Sequence, residues 1–173
     1  MSDAEFSRPL ALAEVAAAPR SFTISAGPSE RVALARRFGL VAIDRLEADG
    51  SVRRHGVDGW RLEAELRTAV VQTCVVTLEP FPATVVERFA VDYAAPEAGP
   101  GGEIDLAAGD AEPAPPGGVL DLGETVAQQL ALALDPFPRR PGAELPPAAA
   151  SEKPAGPFAA LGRVRPKPGS GGA

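Results

Sequence analysis

The sequence predicts an α+β fold, in which an antiparallel sheet, either open or closed into a barrel, packs against two helices. Residues 60–67 alternate strictly between apolar and charged side chains, which is typical of a strand with one face on a core and one in water. Residues 28–39 and 121–134 carry apolar side chains at helical spacing behind capping signals. A run of antiparallel strands with a helix near each end is an α+β pattern.

The first helix is expected to follow a short strand. Residues 21–25 alternate between polar and apolar side chains and predict that strand. Ser29 is placed to cap the free amides of a helix, and Gly39 is placed to end it. The apolar residues expected on the buried face of the helix are Val32, Ala35 and Phe38.

A hairpin is predicted next. Residues 41–48 and 51–57 have strand-like compositions, and they flank Asp49-Gly50. An Asp-Gly pair between apolar runs is the strongest short hairpin signal in a sequence. We therefore expect two short strands joined by a tight turn at these two residues.

Residues 60–67 give the clearest strand. Its apolar positions are Trp60, Leu62, Ala64 and Leu66. Because aromatic side chains bury the largest areas, we expect Trp60 to contribute most to this buried face. The strand is expected to continue through residues 70–78, turn at 79–82 and return along 84–93.

The second helix begins with a pattern like a capping box, since Asp121 precedes Glu124 by three residues. The apolar stripe that follows consists of Leu122, Val126, Leu130 and Ala133. Asp135-Pro136 predicts that the helix runs through Leu134 and stops there.

Charge is distributed unevenly along the 173 residues. Residues 1–91 hold 11 basic and 12 acidic side chains, residues 92–135 hold none and 9, and residues 136–173 hold 6 and 2. Positions 95–118 are rich in Pro, Gly, Ala and acidic residues that offer little to bury, so we expect a mobile acidic loop there. We assign residues 1–141 to one α+β domain and residues 142–173 to an extended, basic Pro/Gly-rich tail.

The composition excludes several classes of protein. One cysteine cannot form an internal disulfide, so a disulfide-stabilised secreted fold is excluded. No apolar run reaches the ~18 residues of a membrane helix, and the N-terminus lacks the basic and apolar blocks of a signal peptide. We therefore expect a cytoplasmic protein with no membrane partner.

The usual parts of a catalytic site are missing from the sequence. His55 has no serine or cysteine motif around it, and Glu63 and Glu65 are expected on the solvated face of a strand. Cys74 lies in an apolar run without an adjacent His or Lys that would lower its pKa, so we expect a buried, inert thiol. The glycines of 99–102 lack the lysine of a phosphate loop. We therefore predict no enzyme, no cofactor and no metal.

Two sets of cations are candidates for contact with RNA. The strand set is Arg45, Arg53, Arg54, Arg61, Arg67 and Arg88. Its alternative is pairing with the acidic residues Glu47, Glu63, Glu65 and Glu87. The tail set is Arg139, Arg140, Arg163, Arg165 and Lys167. The tail set has few acidic neighbours. The alternative to RNA contact for this set is that the tail only keeps the protein soluble.

Phe158 and Leu161 add an apolar element to the tail. Their spacing of three suits one turn of helix docking into an apolar groove. That groove could belong to the domain itself or to a partner, and both alternatives stay open.

Three segments in order resemble the YceD-like family, the large ribosomal RNA subunit accumulation proteins. They are VVQTCVVTLEPF ending at Phe81, LDLGETVAQQLALALDPFPRRP ending at Pro141, and KPAGPFAAL ending at Leu161. The resemblance spans about residues 5–165, and the sequences of these segments are similar to those of alphaproteobacterial members. It implies a cytoplasmic bacterial factor needed for synthesis, processing or stability of the 23S ribosomal RNA. The implied partners are ribosomal RNA or pre-50S particles, or a large-subunit ribosomal protein, without enzymatic activity.

The chain departs from the family at its cysteines. Many members carry Cys-x-x-Cys in the first segment and further cysteines after the second helix, an arrangement that resembles a four-thiolate zinc site. Here the first pair is reduced to Cys74 and Thr77, and residues 136–144 contain no cysteine. We therefore expect no zinc, with the turn at 79–82 and the 136–141 segment held by prolines and packing.

Two functions from different classes stay open. The first is a non-enzymatic assembly factor whose tail set, together with Phe158 and Leu161, contacts ribosomal RNA or a partner. The second is an adaptor or chaperone that binds a basic ribosomal protein through the acidic loop. A nuclease or RNA-modifying enzyme is disfavoured, because the sequence shows neither a metal-carboxylate cluster nor a nucleophile.

Overall fold

A five-stranded sheet with helices on one face forms the centre of the protein. The computed structural model describes residues 5–16, 18–56, 59–94 and 111–144. The strands are β1 (Pro9–Ala11), β2 (Arg20–Ser25), β3 (Ala42–His55), β4 (Gly59–Thr73), β5 (Pro80–Ala94), β6 (Glu112–Pro113) and β7 (Val119–Asp121). The helices are α1 (Pro28–Phe38) and α2 (Leu122–Ala133).

The α+β prediction is confirmed. Strands β2 to β6 lie side by side in chain order, and β1 pairs separately with β7. The pairings are antiparallel except that of β5 with β6, which is parallel. Because β2 and β6 are the two edges, the described strands form an open sheet and not a barrel.

Strand β4 confirms the clearest sequence pattern. The predicted inward residues Trp60, Leu62, Ala64 and Leu66 are all buried. The alternation continues to Gln72, so that every second side chain of β4 faces the core. Burial of the aliphatic and aromatic area of this face stabilises the fold by roughly 25 cal/mol per Å².

The predicted continuation of this strand through residues 70–78 is confirmed for residues 70–73 and wrong for residues 74–78. Strand β4 ends at Thr73, and the chain turns over residues 74–79 instead of 79–82. Pro80 and Pro82 belong to β5, whose outer edge is paired only at its last two residues. Prolines are tolerated on such an unpaired edge, so they do not mark a turn here.

The predicted hairpin at Asp49-Gly50 is also wrong. Strand β3 runs straight through both residues, paired with β2 on one side and β4 on the other. A Cβ at Gly50 would lie 2.8 Å from Cζ of Phe22 and 2.5 Å from the carbonyl oxygen of Glu63. The glycine is therefore required by close packing inside a strand, and not by a turn.

Helix α1 has the predicted extent but a different cap. Its N-cap is Gly27 instead of Ser29, and the Glu30 carboxylate accepts the Gly27 amide at 2.6 Å. Arg8 binds both oxygens of that carboxylate, which fixes its orientation. Gly39 ends the helix as predicted, with a left-handed φ of 66° that glycine adopts without strain.

The buried face of α1 is rotated from the predicted one. Leu34 and Ala35 are buried, and Phe38 packs against the same cluster. Val32 is 63 % exposed, so its assignment to the core is wrong. The prediction followed apolar residues at intervals of three and therefore placed Val32 in the core. It left out Leu34, which lies on the same face as Ala35 and Phe38.

Helix α2 follows its prediction closely. The Asp121 carboxylate accepts hydrogen bonds from the amides of Gly123 and Glu124 at 3.0 and 3.2 Å. Leu122, Val126 and Leu130 are buried, and Ala133 is half-buried. The helix ends at Ala133, one residue before the predicted end.

Two apolar clusters lie along the inner face of the sheet. One cluster lies under the helices and includes Leu34, Leu46, Leu66, Val126 and Leu130. The other is covered by the N-terminal segment and includes Leu10, Leu12, Val52, Trp60, Leu62 and Tyr93. The sequence did not predict the N-terminal cover, because β1 is three residues long and its partner β7 lies more than a hundred residues away.

Parts of the predicted loop and tail lie outside the described residues. These parts are residues 95–110 of the acidic loop and residues 145–173 of the tail. Residues 111–118 of the predicted loop contain β6 and a 3₁₀ turn at Pro116–Gly118. No helix in the described part of the chain has the length and apolarity needed to span a bilayer.

Candidate interaction surface

The outer face of the sheet carries arginines next to carboxylates on β3, β4 and β5. Arg61 lies 2.9 Å from Glu63 and 3.0 Å from Asp92. The other pairs on this face are Arg45–Glu47, Arg53–Glu63, Arg67–Asp49, Arg67–Glu65 and Arg88–Glu65. Ion pairing, the alternative to RNA contact, is therefore confirmed for five of the six strand arginines.

These pairs keep the carboxylates ionised. The hydrogen bond from Arg61 lowers the pKa of Glu63, and that from Arg88 lowers the pKa of Glu65. A carboxyl group with a lowered pKa is a poor general acid at neutral pH. Because each arginine of this face meets a carboxylate, the face offers little net attraction for phosphate.

Arg54 is the strand arginine without such a pair among the described residues, and it packs on the core. Its guanidinium lies 4.7 Å from the centre of the Trp60 ring, and its Nε donates to the carbonyl of Val15 at 3.3 Å. This cation–π contact covers the buried indole. His55, at the end of β3, is exposed and lies 3.9 Å from Asp92. It is therefore the solvated strand residue that the sequence predicts.

The Cys74 junction, which we define as residues 74–79 and 136–140, joins the β4–β5 turn to the segment after α2. The Cys74 sulfur accepts the amide of Thr77 at 3.5 Å and the amide of Arg140 at 3.4 Å. The amide of Val75 donates to the carbonyl of Pro138 at 2.9 Å. Hydrogen bonds therefore hold the two segments together, where the sequence predicted prolines and packing.

These donors change the chemistry of the thiol. They lower the pKa of Cys74 to about 6, with the hydrogen bond from the Thr77 side chain as the largest cause and the Arg140 amide next. The side chain is fully buried, as predicted, so solvent does not reach the sulfur. The sequence missed the lowered pKa because the donors are backbone amides and a hydroxyl, and not a neighbouring His or Lys.

The junction also positions the two tail cations that the structure describes. Arg140 bridges to Glu79 at 2.8 Å, so the turn neutralises it. Arg139 is exposed, and none of the described carboxylates lies within ion-pair distance of it. The predicted contact residues Arg163, Arg165, Lys167, Phe158 and Leu161 lie outside the described residues.

Exposed apolar side chains also belong to the Cys74 junction, and sequence reasoning missed them. Leu78 is 76 % exposed and Phe137 is 70 % exposed, and Val75 is exposed as well. Leu78 also has a positive φ of 59°, which is uncommon for a residue other than glycine. The Cys-x-x-Thr spacing could have revealed a turn at 74–77, but the β-branched composition of the run predicted a strand.

The zinc arrangement of the family does not fit these residues. A structural zinc site needs four ligands, most often thiolates or imidazoles. The junction offers one sulfur, with the Thr77 hydroxyl and the cationic Arg140 next to it. Within residues 5–16, 18–56, 59–94 and 111–144, no three His, Cys, Asp or Glu side chains are grouped so that they could hold a metal.

A family model matches more than half of the chain. Its description is Large ribosomal RNA subunit accumulation protein YceD, and it matches residues 62–162, which are 101 of 173 positions. The chain belongs to the YceD family. The comparisons with curated proteins and with solved structures find no match.

The YceD match covers the Cys74 junction and α2, and it continues to one residue past Leu161. It begins within β4, so it is shorter than the span of residues 5–165 expected from the resemblance. The description of the family places the protein in ribosome biogenesis, at the accumulation of the large ribosomal RNA.

Proposed function

We propose that the protein is a non-enzymatic factor for synthesis, processing or stability of 23S ribosomal RNA, acting in the cytoplasm on ribosomal RNA or pre-50S particles. The observation that carries this proposal is the YceD match over residues 62–162. The described carboxylates with shifted pKa values are all held ionised by hydrogen bonds and ion pairs. That pattern suits a binding protein better than an acid–base catalyst.

The charge distribution supports the tail set, rather than the strand set, as the RNA contact. The sheet arginines already have carboxylate partners, and breaking those pairs would expose the carboxylates to phosphate. Arg139 has no such described partner, and residues 136–173 hold 6 basic side chains against 2 acidic ones. Each cation that contacts a phosphate releases counterions and adds about 0.7–0.9 to the salt slope of binding.

The test measures binding of 23S ribosomal RNA fragments over a range of salt concentrations. Changing Arg139, Arg163, Arg165 and Lys167 to Gln should lower the slope of log affinity against log salt by roughly 3, at 0.7–0.9 per cation. The matched control changes Arg45, Arg53, Arg67 and Arg88 to Gln and should leave the slope unchanged. An equal loss of salt slope in both variants would contradict the assignment of the RNA contact to the tail set.

The adaptor alternative rests on the acidic stretch. Residues 92–135 hold 9 acidic side chains and no basic one, which suits a basic ribosomal protein. Crosslinking of the tagged protein in cells separates the two functions. The RNA-binding function predicts recovery of 23S precursors, and the adaptor function predicts recovery of a ribosomal protein. That ribosomal protein should be lost when the acidic residues of the loop are neutralised, namely Glu97, Glu103, Asp105 and Asp110. Recovery of neither would overturn both.

A further inference from the structure

A cleft of about 360 Å³ opens next to the Cys74 junction. It lies between the C-terminal ends of α1 and α2 and the end of β4, and the segment after α2 forms one wall. Its apolar lining consists of Phe38, Leu40, Ala131, Leu134, Pro136 and Pro138. A cavity of roughly 150 Å³ with such a lining already accepts a benzene ring. The cleft therefore has room for an aromatic and an aliphatic side chain together.

Gln72 places hydrogen-bonding groups in the wall of this cleft. Its side chain is on the inward face of β4, lines the cleft and is only 7 % exposed. Its amide forms no hydrogen bond with another described residue, although Thr68 on the same face is satisfied by the Arg45 carbonyl at 2.7 Å. A peptide backbone in the cleft would supply both a donor and an acceptor.

The C-terminal segment 157–161 of this chain meets the requirements for such an occupant. It is the sequence Pro-Phe-Ala-Ala-Leu, which offers one aromatic and one aliphatic side chain separated by small residues. Fourteen positions separate Phe158 from Glu144, the last described residue, and a flexible chain of that length reaches ~20 Å. Pro138 forms part of the cleft wall and lies six positions before Glu144, so these two residues are at most about 20 Å apart. The YceD match ends at residue 162, directly after this segment.

We propose that the segment 157–161 docks into this cleft, with Phe158 and Leu161 against its apolar lining and the Gln72 amide bonded to the backbone of the segment. Tethering makes the binding intramolecular, at an effective concentration in the millimolar range. Docking also holds Arg163 and Arg165 next to Arg139, so that the tail set forms one basic surface. In this respect the inference deepens the proposed function, but the docking itself requires no RNA.

The test is a double-mutant cycle on the thermal stability of the full chain, without RNA. Phe158→Ala should lower the Tm by about 4–8 °C, as expected for the loss of a buried aromatic contact in a chain of this size. Ala131→Trp, at an exposed cleft position, should fill the cleft and lower the Tm by a similar amount. The double variant should be no less stable than either single variant, because both remove the same contact.

Leu132→Trp is the matched control for the cleft-filling change. Leu132 is 78 % exposed on the same helix and does not line the cleft, so the Tm should not change. Additive losses in the double variant, or an unchanged Tm for Phe158→Ala, would overturn the docking.

A photocrosslinking residue at position 158 gives a second readout. In dilute protein it should label peptides that contain 38–40, 72–73 or 131–138, within the same molecule. Labelling of a second copy, or labelling only when ribosomal particles are added, would show that the segment binds another molecule and not its own domain. A salt slope that the tail variant leaves unchanged, with docking intact, would instead reject the proposed RNA contact alone.

Discussion

Cys74 uses its sulfur as a hydrogen-bond acceptor between two segments that lie 66 positions apart. The sequence correctly predicted a buried thiol at this position. It could not predict the amide of Arg140 as a partner, because that contact depends on how the chain returns after α2. The candidate site was therefore only half predictable: the basic residues are visible in the sequence, but the junction that holds two of them is a tertiary feature.

The lowered pKa of Cys74 predicts a pH-dependent stability. In the folded protein the thiol has a pKa of about 6, against an ordinary value of 9.0. Between these values the unfolded chain holds a proton that the folded chain has released, so the free energy of unfolding rises with pH. This contribution is complete above about pH 9 and is lost as the pH falls through about 6.

Denaturant unfolding of the natural protein and of Cys74→Ser over pH 5–9 should show this difference. We expect the gap in stability between the two proteins to widen as the pH rises through this window. Thr77→Val removes the side-chain hydrogen bond to the sulfur, so it should make this gap in stability depend less on pH. A gap that does not change with pH would show that the thiol stays protonated.

Trp60 is the second residue with a specific prediction. It is buried in the cluster under the N-terminal segment, and its indole N–H has no hydrogen-bond partner among the described residues. Trp60→Ala should reduce the free energy of unfolding by roughly 3–5 kcal/mol. Trp60→Phe should cost much less, because it keeps an aromatic ring and removes the unsatisfied N–H. Chemical denaturation measures both, and equal losses would contradict this account.

At the level of elements, local signals succeeded where one residue decides the structure. Asp121 caps α2 as predicted, because a carboxylate that precedes a helix reaches free amides whatever the rest of the fold does. Ser29 is not the cap because the helix begins two residues earlier. Gly27 is the N-cap, and its amide donates to the Glu30 carboxylate that Arg8 holds in place. That ion pair joins residues 22 positions apart, which no local pattern reveals.

Strand β3 shows how a correct local signal can be overridden. Asp49-Gly50 favours a turn, but both residues are paired to strands on either side, and Thr23 donates to the Asp49 carboxylate at 2.8 Å. The ring of Phe22 occupies the space over Gly50 that a side chain would fill. Pairing along both edges outweighs the intrinsic preference of two residues.

Gly50→Ala should therefore destabilise the protein even though the residue lies in a strand, where alanine is normally preferred. The added Cβ would lie 2.5 Å from a β4 carbonyl oxygen, so the strands must separate. We expect a loss of about 1–3 kcal/mol in denaturant unfolding. The control is Gly56→Ala, where a Cβ meets nothing within 4 Å and only the positive φ of 65° is strained. A stabilising effect of Gly50→Ala would contradict the packing account.

Across the whole molecule, the sequence predicted the sheet and both helices but not what covers the second apolar cluster. Strands β3 to β5 are long and carry enough alternating residues to be recognised. Leu10, Leu12 and Val15 are buried in that cluster, but they lie in a stretch with no helical or strand period. Their burial depends on the pairing of β1 with β7, which is decided by tertiary structure alone.

That pairing has a consequence for how the protein is made. The Arg8 amide donates to the Asp121 carboxylate across 113 positions, and β1 cannot be paired until β7 has been synthesised. At roughly 5–20 residues per second, a ribosome needs on the order of 6–20 s to add that much chain. During this time β1 of every nascent molecule lacks the strand with which it pairs. The pairing of β1 with β7 can therefore form only late in synthesis, after all five strands from β2 to β6 have been made.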